Sequence, residues 1–437
     1  MQPFEPRQAA LEALRLIHKY DKYADIALHQ ILADRAHANA DTRLTTEITY
    51  GVTRRIRTLT TIIDQFTQQP IAKQPLDLKL ILAIGIYQLL FLDHIPASAA
   101  VNTTVELAKH NRLSGLAGLV NAILRQVTRC PPNLVERLTD PACRLSYPDW
   151  LLQLWQTAYG QDQAIALAEW FNHPPTLDLR INPLQTTPTQ VQDLLQAQGI
   201  TTTTLPHLPQ ALRLTSHPGK ITQLPGYDQG WWSIQDAASQ LVAQILDPQP
   251  GETIIDACAA PGGKTCHIAE LITDQGQIHA CDLHNHRLTK IHQNRDRLHL
   301  SSITTHLGNS QNSQQFPPHQ ADRVLVDVPC SGLGTLHRHA DARWRQTPAQ
   351  LQALPQLQIQ LLTAAATWVK PQGHLVYSTC TLNPAENIQV IDQFLATHPQ
   401  WQLQPCHHPK FPGAIYIQTI PYQDHLDGFF IAKLKHQ

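Results

Sequence analysis

Cys330 and Cys380 each follow an apolar run that reads as a β-strand. The first run is Arg323-Val324-Leu325-Val326, followed by Asp327-Val328-Pro329-Cys330-Ser331-Gly332-Leu333-Gly334. The second ends in Tyr377-Ser378-Thr379-Cys380-Thr381, ahead of Asn383-Pro384-Ala385-Glu386-Asn387. In an open parallel sheet a ligand sits beyond the C-terminal ends of the strands. Two cysteines at two such ends are therefore expected to share one pocket, with Asp327 beside them. A thiolate is an effective nucleophile at neutral pH when its neighbours lower its pKa. Taken singly, either cysteine is more readily explained as a small buried packing residue. Taken together, and with Asp327 and Lys264, they point to covalent chemistry.

Lys264 belongs to the segment Asp256-Ala257-Cys258-Ala259-Ala260-Pro261-Gly262-Gly263-Lys264-Thr265. An extended run, Thr253-Ile254-Ile255, precedes it, and a helical one, His267-Ile268-Ala269-Glu270-Leu271-Ile272, follows. A strand, a tight Gly-Gly turn and a helix make the nucleotide-binding corner of a doubly wound sheet. The glycines let the backbone approach a ligand where a Cβ would intrude. Gly263-Lys264-Thr265 mimics the end of a phosphate-binding loop, but that loop needs a glycine where Cys258 stands. An ATPase is disfavoured, and a nucleoside cofactor without a phosphate chain fits better. The next strand ends at Asp282, 20 residues beyond Gly262 (282 − 262). An acid at that spacing can accept hydrogen bonds from ribose hydroxyls; the alternative is a helix N-cap.

From Ser233 onward strands and helices alternate, which predicts a mostly parallel sheet with both faces covered. Strands are expected at 253–256, 278–282, 303–306, 323–327 and 374–378, with a late pair near 415–420 and 428–433. Helices are expected at 235–246, 263–272, 286–299, 349–369 and 384–396. The late pair is compatible with a methyltransferase-like core, although the pattern alone does not exclude a dehydrogenase. Residues 1–130 read as a helical bundle. Ala9, Ala10, Ala13, Leu14 and Ile17 give one apolar stripe, and Leu44, Ile48, Val52, Ile56 and Leu59 another. The run Leu76 to Leu92 is apolar almost all round and predicts a buried central helix. Arg54, Arg55 and Arg57, with Arg43, make either a basic binding surface or a solvated polar face. Residues 131–175 read as a helical linker, with Tyr147 to Phe171 as one long helix. Residues 176–232 read as a small α+β subdomain.

At 437 residues the chain is long enough for more than one domain. Its formal charge of −1 excludes a strong global field toward nucleic acid or membrane, so polyanion binding must be local. The eight cysteines contain no Cys-x-x-Cys pair, so no metal site is expected, and reduced thiols in a cytoplasmic protein are the better reading. No apolar run reaches the ~18 residues of a spanning helix. The segment Met1 to Arg7 lacks the pattern of a secretory signal.

Three motifs, in this order, resemble the RNA cytosine-5 methyltransferases of the Nop/Sun family. They are Ala260-Pro261-Gly262-Gly263-Lys264, Pro329-Cys330-Ser331-Gly332 and Ser378-Thr379-Cys380-Thr381. Upstream, Asp41 to Arg57, with Glu47-Ile48-Thr49-Tyr50-Gly51-Val52, resembles the NusB fold. That pairing is the architecture of the family's bacterial members acting on 16S ribosomal RNA, and the resemblance covers nearly the whole chain. It implies a NusB-like helical domain at 1–130, a linker at 131–175 and an α+β RNA-binding subdomain at 176–232. A Rossmann-like methyltransferase domain at 233–437 completes the chain.

The resemblance implies S-adenosylmethionine as methyl donor, lined by Cys258, Ala259, Ala260, Pro261, Gly262, Gly263 and Lys264. Asp282 is then expected on the ribose hydroxyls, and Asp327 near the sulfonium and the base. The family usually places an aspartate against the adenine amino group after the third strand. Here that place is Leu307-Gly308-Asn309, so Asn309 is expected to accept without charge and to bind adenine less strongly. Val328, where alanine is usual, and Ala340, where proline is usual, are lesser departures. By the family's pattern Cys380 is the nucleophile, while Cys330 assists proton removal and enzyme release. The residues by themselves do not choose between the two. The implied partner is small-subunit ribosomal RNA, bound by a cytoplasmic monomer with no membrane association. Arg54, Arg55, Arg180, Asn182, Arg338, His339, Arg343 and Trp344 are candidate contacts to phosphates and unpaired bases. Two alternatives keep the fold: action on transfer RNA or large-subunit RNA, or a non-catalytic assembly factor. A small-molecule methyltransferase would not need the helical domain or paired cysteines.

Overall fold

The computed structural model describes residues 5–33 and 39–437. Residues 1–4, part of the N-terminal reading above, lie outside the described residues. The chain forms two compact units. One comprises Met1–Pro174 and Leu336–Arg345, the other Pro175–Thr335 and Gln346–Gln437.

The first unit is helical. Helix Pro6–Tyr20 buries the stripe Ala9, Ala10, Ala13, Leu14 and Ile17. Helix Asn39–Gln65 buries Ile48, Val52, Ile56 and Leu59. Helix Leu76–Phe91 is apolar almost all round, with Leu78, Leu80, Ile81, Leu82, Ile84 and Ile86 all inaccessible. Helices Ala97–His110 and Ala117–Val127 complete the bundle. The single long helix expected over Tyr147 to Phe171 is instead two, Asp149–Tyr159 and Gln161–Trp170. They break at Gly160, whose φ of +88° lies outside any helix and suits only glycine. Tyr147, Trp155 and Phe171 are buried there, so residues 131–174 are part of the helical unit and not a linker.

The second unit contains two sheets. The small one is antiparallel, built from β1 (Leu177–Ile181), β2 (Thr202–Leu205), β3 (Leu208–Leu214) and β4 (Trp232–Ile234), in the order β2-β3-β1-β4. Its helix, Pro188–Ala197, starts at a capping box of Thr187 and Gln190. β4 pairs with β1 through Ile181↔Trp232 and Leu179↔Ile234, so the small sheet runs past the boundary expected at residue 232.

The large sheet consists of β5 (Thr253–Asp256), β6 (Gln277–Asp282), β7 (Ile303–Leu307), β8 (Ala321–Asp327), β9 (Val369–Thr379), β10 (Trp401–Gln404), β11 (Tyr416–Gln418) and β12 (Phe430–His436). Its order is β10-β12-β9-β8-β5-β6-β7, with β11 also on β12. The pairs β9-β8-β5-β6-β7 are parallel, and β12 is antiparallel to β9, β10 and β11. The parallel strands are continuous apolar runs because both faces are covered. Ile254, Leu325 and Val376 pack with helices Ala237–Leu246, Gly263–Leu271 and Asn285–Arg297. Ile255, Val324, Val326 and Tyr377 pack with helices Pro348–Ala366 and Ile388–Thr397. The strand order reverses at β5, between β6 and β8, which opens a crevice beyond the strand ends. No helix among the described residues is long and apolar enough to cross a membrane.

Candidate active site

β8 and β9 run in parallel register with Asp327 beside Ser378, so the loops that follow start side by side. The register brings the two cysteines together, with Cys330 Sγ 3.3 Å from Cys380 Sγ. The loops are then stitched to one another. Gly334 N–H donates to the Cys380 carbonyl at 3.0 Å, and Gly428 N–H to the Gly334 carbonyl at 2.8 Å. Gly334 has to be glycine: a Cβ there would stand 1.8 Å from the Gly428 carbonyl oxygen.

The main organiser of these loops is Glu386, a fully buried carboxylate on which the sequence reading placed no role. It accepts from Ser331 N–H at 2.8 Å, Ser331 Oγ at 2.6 Å, Asn383 Nδ2 at 3.0 Å and Gln358 Nε2 at 3.1 Å. Ser331 Oγ also meets Thr381 Oγ1 at 2.7 Å, so residues adjacent to both cysteines close on one acid. A buried carboxylate is tolerated when its lone pairs are satisfied in this way. The sequence hint was an acid six residues past Cys380 (386 − 380), behind Asn383-Pro384.

Lys264 reaches across from the Gly-Gly corner to Asp327, Nζ to Oδ2 at 2.7 Å, while Ser378 Oγ donates to Asp327 Oδ1 at 2.7 Å. Lys264 Nζ also lies 5.3 Å from the centre of the Phe429 ring. Burial works against the ammonium, but Asp327 and then Cys380 outweigh it and hold the Lys264 pKa above its ordinary value. Cys330 moves well above the ordinary thiol value, first through its contact with Cys380, then through burial and the nearby Glu386 charge. Cys258 is raised as well, by burial and by the carboxylates of Asp256 and Asp327. Both therefore stay thiols at neutral pH. Asp256, at the end of β5, is buried and pushed up to about 7 by desolvation, against the hydrogen bond from Thr265.

The corner itself is a cradle. Gly262 sits at φ +98°, and a Cβ there would lie 3.2 Å from Ile291 Cα. Ala259 N–H donates to the Cys281 carbonyl at 2.9 Å, and Ala260 N–H to Asp282 Oδ2 at 3.3 Å. Asp282 closes β6 and also accepts from His284 N–H at 3.0 Å, with Arg287 at 3.5 Å. It is not the helix N-cap, a position held by His284. Asn309 is exposed, and its Oδ1 accepts from Gln311 N–H at 3.0 Å. The oxygen expected to meet adenine is thus engaged in its own turn. Leu283 and Leu307, each 58% exposed, stand directly after β6 and at the end of β7. They are the apolar surfaces available there for a purine, and the reading of the sequence passed over both.

The RNA-contact candidates scatter. Arg180 is completely buried in a two-pronged ion pair with Glu270, Nε to Oε2 at 2.8 Å and Nη2 to Oε1 at 2.7 Å. Asn182 is buried and donates to the Gly230 carbonyl at 3.1 Å. Arg343 is buried in the helical unit, donating to Asn172 Oδ1 at 2.9 Å and the Phe171 carbonyl at 3.1 Å, over the Tyr147 ring. Arg54 is buried and donates to the His337 carbonyl at 3.2 Å. These four side chains are buried and are not presented to a phosphate at the surface. Trp344 is anchored to the Thr53 carbonyl at 2.8 Å, and Arg55 lies 5.0 Å over the Phe91 ring. Arg338 is half-buried, and His339 is exposed.

An αL glycine that opens space, a strand-end acid, two exposed leucines and an aspartate beside the thiols suit a cationic nucleoside. That donor set fits S-adenosylmethionine. The 16S rRNA methyltransferase RsmB/F family matches residues 243–435, the NusB family residues 5–129, and a ferredoxin-like domain of RsmF/B-like methyltransferases residues 147–221. A probable ribosomal RNA small subunit methyltransferase B of Synechocystis is 49% identical, over 98% of this chain and 99% of its own. The ribosomal RNA small subunit methyltransferase B of Vibrio cholerae is 38% identical, over 94% and 92%. The crystal structure of PH0851 superposes with a TM-score of 0.80 at 26% identity, covering 99% of each chain. With its NusB-like helical unit, its ferredoxin-like subdomain and its catalytic sheet, the chain belongs to the S-adenosylmethionine-dependent ribosomal RNA small subunit methyltransferase B family.

Proposed function

We propose that this protein methylates carbon 5 of a cytosine in 16S ribosomal RNA through a covalent cysteine adduct. The observation that carries the reading is the 3.3 Å approach of Cys330 and Cys380 beside the Lys264–Asp327 pair. Carbon 5 of cytosine is a poor nucleophile. A bond from Cys380 Sγ to carbon 6 shifts an electron pair onto carbon 5 and makes it reactive. The Lys264 ammonium stabilises the thiolate that forms this bond, and Asp327 hydrogen-bonds the base as nitrogen 3 gains proton affinity. S-adenosylmethionine, when bound, supplies the methyl group as an electrophile to carbon 5. The 258–264 corner, Asp282 and the two leucines would hold it.

Cys330, after losing its own proton to solvent, takes the carbon-5 proton as a thiolate, and the electron pair of that C–H bond returns to expel Cys380 as a thiolate. The resting pair explains the timing. Cys380 is the first cause of the raised Cys330 pKa, so its conversion to a thioether removes that cause and eases Cys330 deprotonation. A base inside a stem cannot reach this crevice, so the target is an unpaired or flipped cytosine. The reading carries a cytoplasmic monomer with it, in keeping with eight free cysteines.

The test is methyl transfer from labelled S-adenosylmethionine to protein-free 16S ribosomal RNA, with bisulfite mapping. One new 5-methylcytosine, absent with Cys380→Ala, is expected. Transfer only to transfer RNA or large-subunit RNA would overturn the substrate, and label at another base or position would overturn the chemistry.

A further inference from the structure

The glycine corner has no side chain of its own to hold it. Gly262 precedes helix Gly263–Leu271 without a side-chain cap, and glycine backbones lose the most freedom on ordering. Arg287 and Asn294 hold the carbonyls of Ala260 and Pro261, and the restraint at Gly263 comes from Arg180, on β1 of the small sheet. Its Nη1 donates to the Gly263 carbonyl at 2.7 Å and to Gln235 Oε1, while its other two nitrogens hold Glu270. Gly263 and Glu270 lie two turns apart on the same helix face, so one guanidinium spans the first turn and the end of the helix. Gln210 ties the arrangement further, accepting from His267 Nε2 at 3.0 Å and donating to the Ile181 carbonyl at 3.1 Å. A buried ion pair is a poor source of net stability compared with apolar residues of the same size. What distinguishes this one is its third contact, at the residue before Lys264.

We propose that Arg180 is a positioning residue for the cofactor: through Gly263 it fixes the 262–264 corner in the conformation that receives S-adenosylmethionine. This rests on the cofactor reading and is independent of which base is methylated.

The experiment uses full-length protein and measures S-adenosylmethionine binding by calorimetry, without RNA. In Arg180→Met/Glu270→Met both charges go together, so Tm is expected near wild type while Kd rises about tenfold. Amide deuterium exchange in the first turn of the helix is expected to quicken. Arg180→Lys keeps a cation for Glu270 but cannot also serve Gly263. It decides the matter if the double variant fails to fold, and its Kd is expected to rise similarly. Wild-type Kd in either folded variant would overturn the proposal and leave Arg180 a structural residue. Wild-type protein that binds cofactor but makes no 5-methylcytosine would overturn the functional reading and leave this one standing.

Discussion

At the scale of single residues the proposed division of work between the two cysteines is testable. Cys380→Ala is expected to bind RNA and cofactor yet transfer no methyl group. Cys330→Ala is expected to stall as an RNA adduct that survives denaturing electrophoresis, because expulsion of Cys380 awaits proton removal. Reversed phenotypes would exchange the roles. Asp256 makes a second prediction. Its pKa is raised to about 7 from an ordinary 3.8, so the folded state favours the neutral acid. The stability this gives is fully present below the ordinary value and is lost as pH rises through 7. Asp256→Asn stays neutral, so its Tm is expected to match wild type near pH 3.5 and to exceed it by pH 8. The difference at pH 8 corresponds to a few kcal/mol, on the order of 4. A pH-independent difference would show that Asp256 ionises freely. Cys330, Cys380 and Asp327 were legible because they stand at or just past strand ends, and Lys264 because it follows the Gly-Gly turn. Glu386 was not, since its four donors come from three separate segments.

At the scale of elements the Gly262 turn is the most exacting. Its φ of +98° costs an alanine roughly 1–2 kcal/mol, and the added Cβ would press on the backbone of helix Asn285–Arg297 at Ile291. Gly262→Ala is expected to bind S-adenosylmethionine about tenfold more weakly, read by calorimetry; unchanged Kd would show that the corner tolerates a Cβ. The strands β5, β6, β7, β8 and β9 were legible because two covered faces demand unbroken apolar runs. β2, β4 and β10 were not, being short antiparallel strands without an unbroken apolar run. The break at Gly160 was missed because the segments on both sides each read as helix.

At the scale of the whole molecule the chain leaves the catalytic unit after Thr335 and returns at Gln346. The excursion Leu336–Arg345 carries Arg343 and Trp344 into the helical unit, where both serve its interior. Arg343→Met is expected to lower stability by about 2–4 kcal/mol, by stranding buried acceptors. It should leave the salt dependence of RNA binding unchanged, because no phosphate contact is lost. A shallower salt slope at unaltered Tm would return Arg343 to the RNA surface.

The sequence by itself determined the motif order, the alternation that builds the catalytic sheet, the helical bundle before it, and the corner that disfavours an ATPase. These follow from local spacing and short-range periodicity. Only the tertiary structure decided which charged residues are buried. Arg180 finds Glu270 90 residues away, and Arg343 finds Asn172 171 residues away. Composition marks an arginine as a surface cation, and only the packing around it shows that its donors have been taken by the interior.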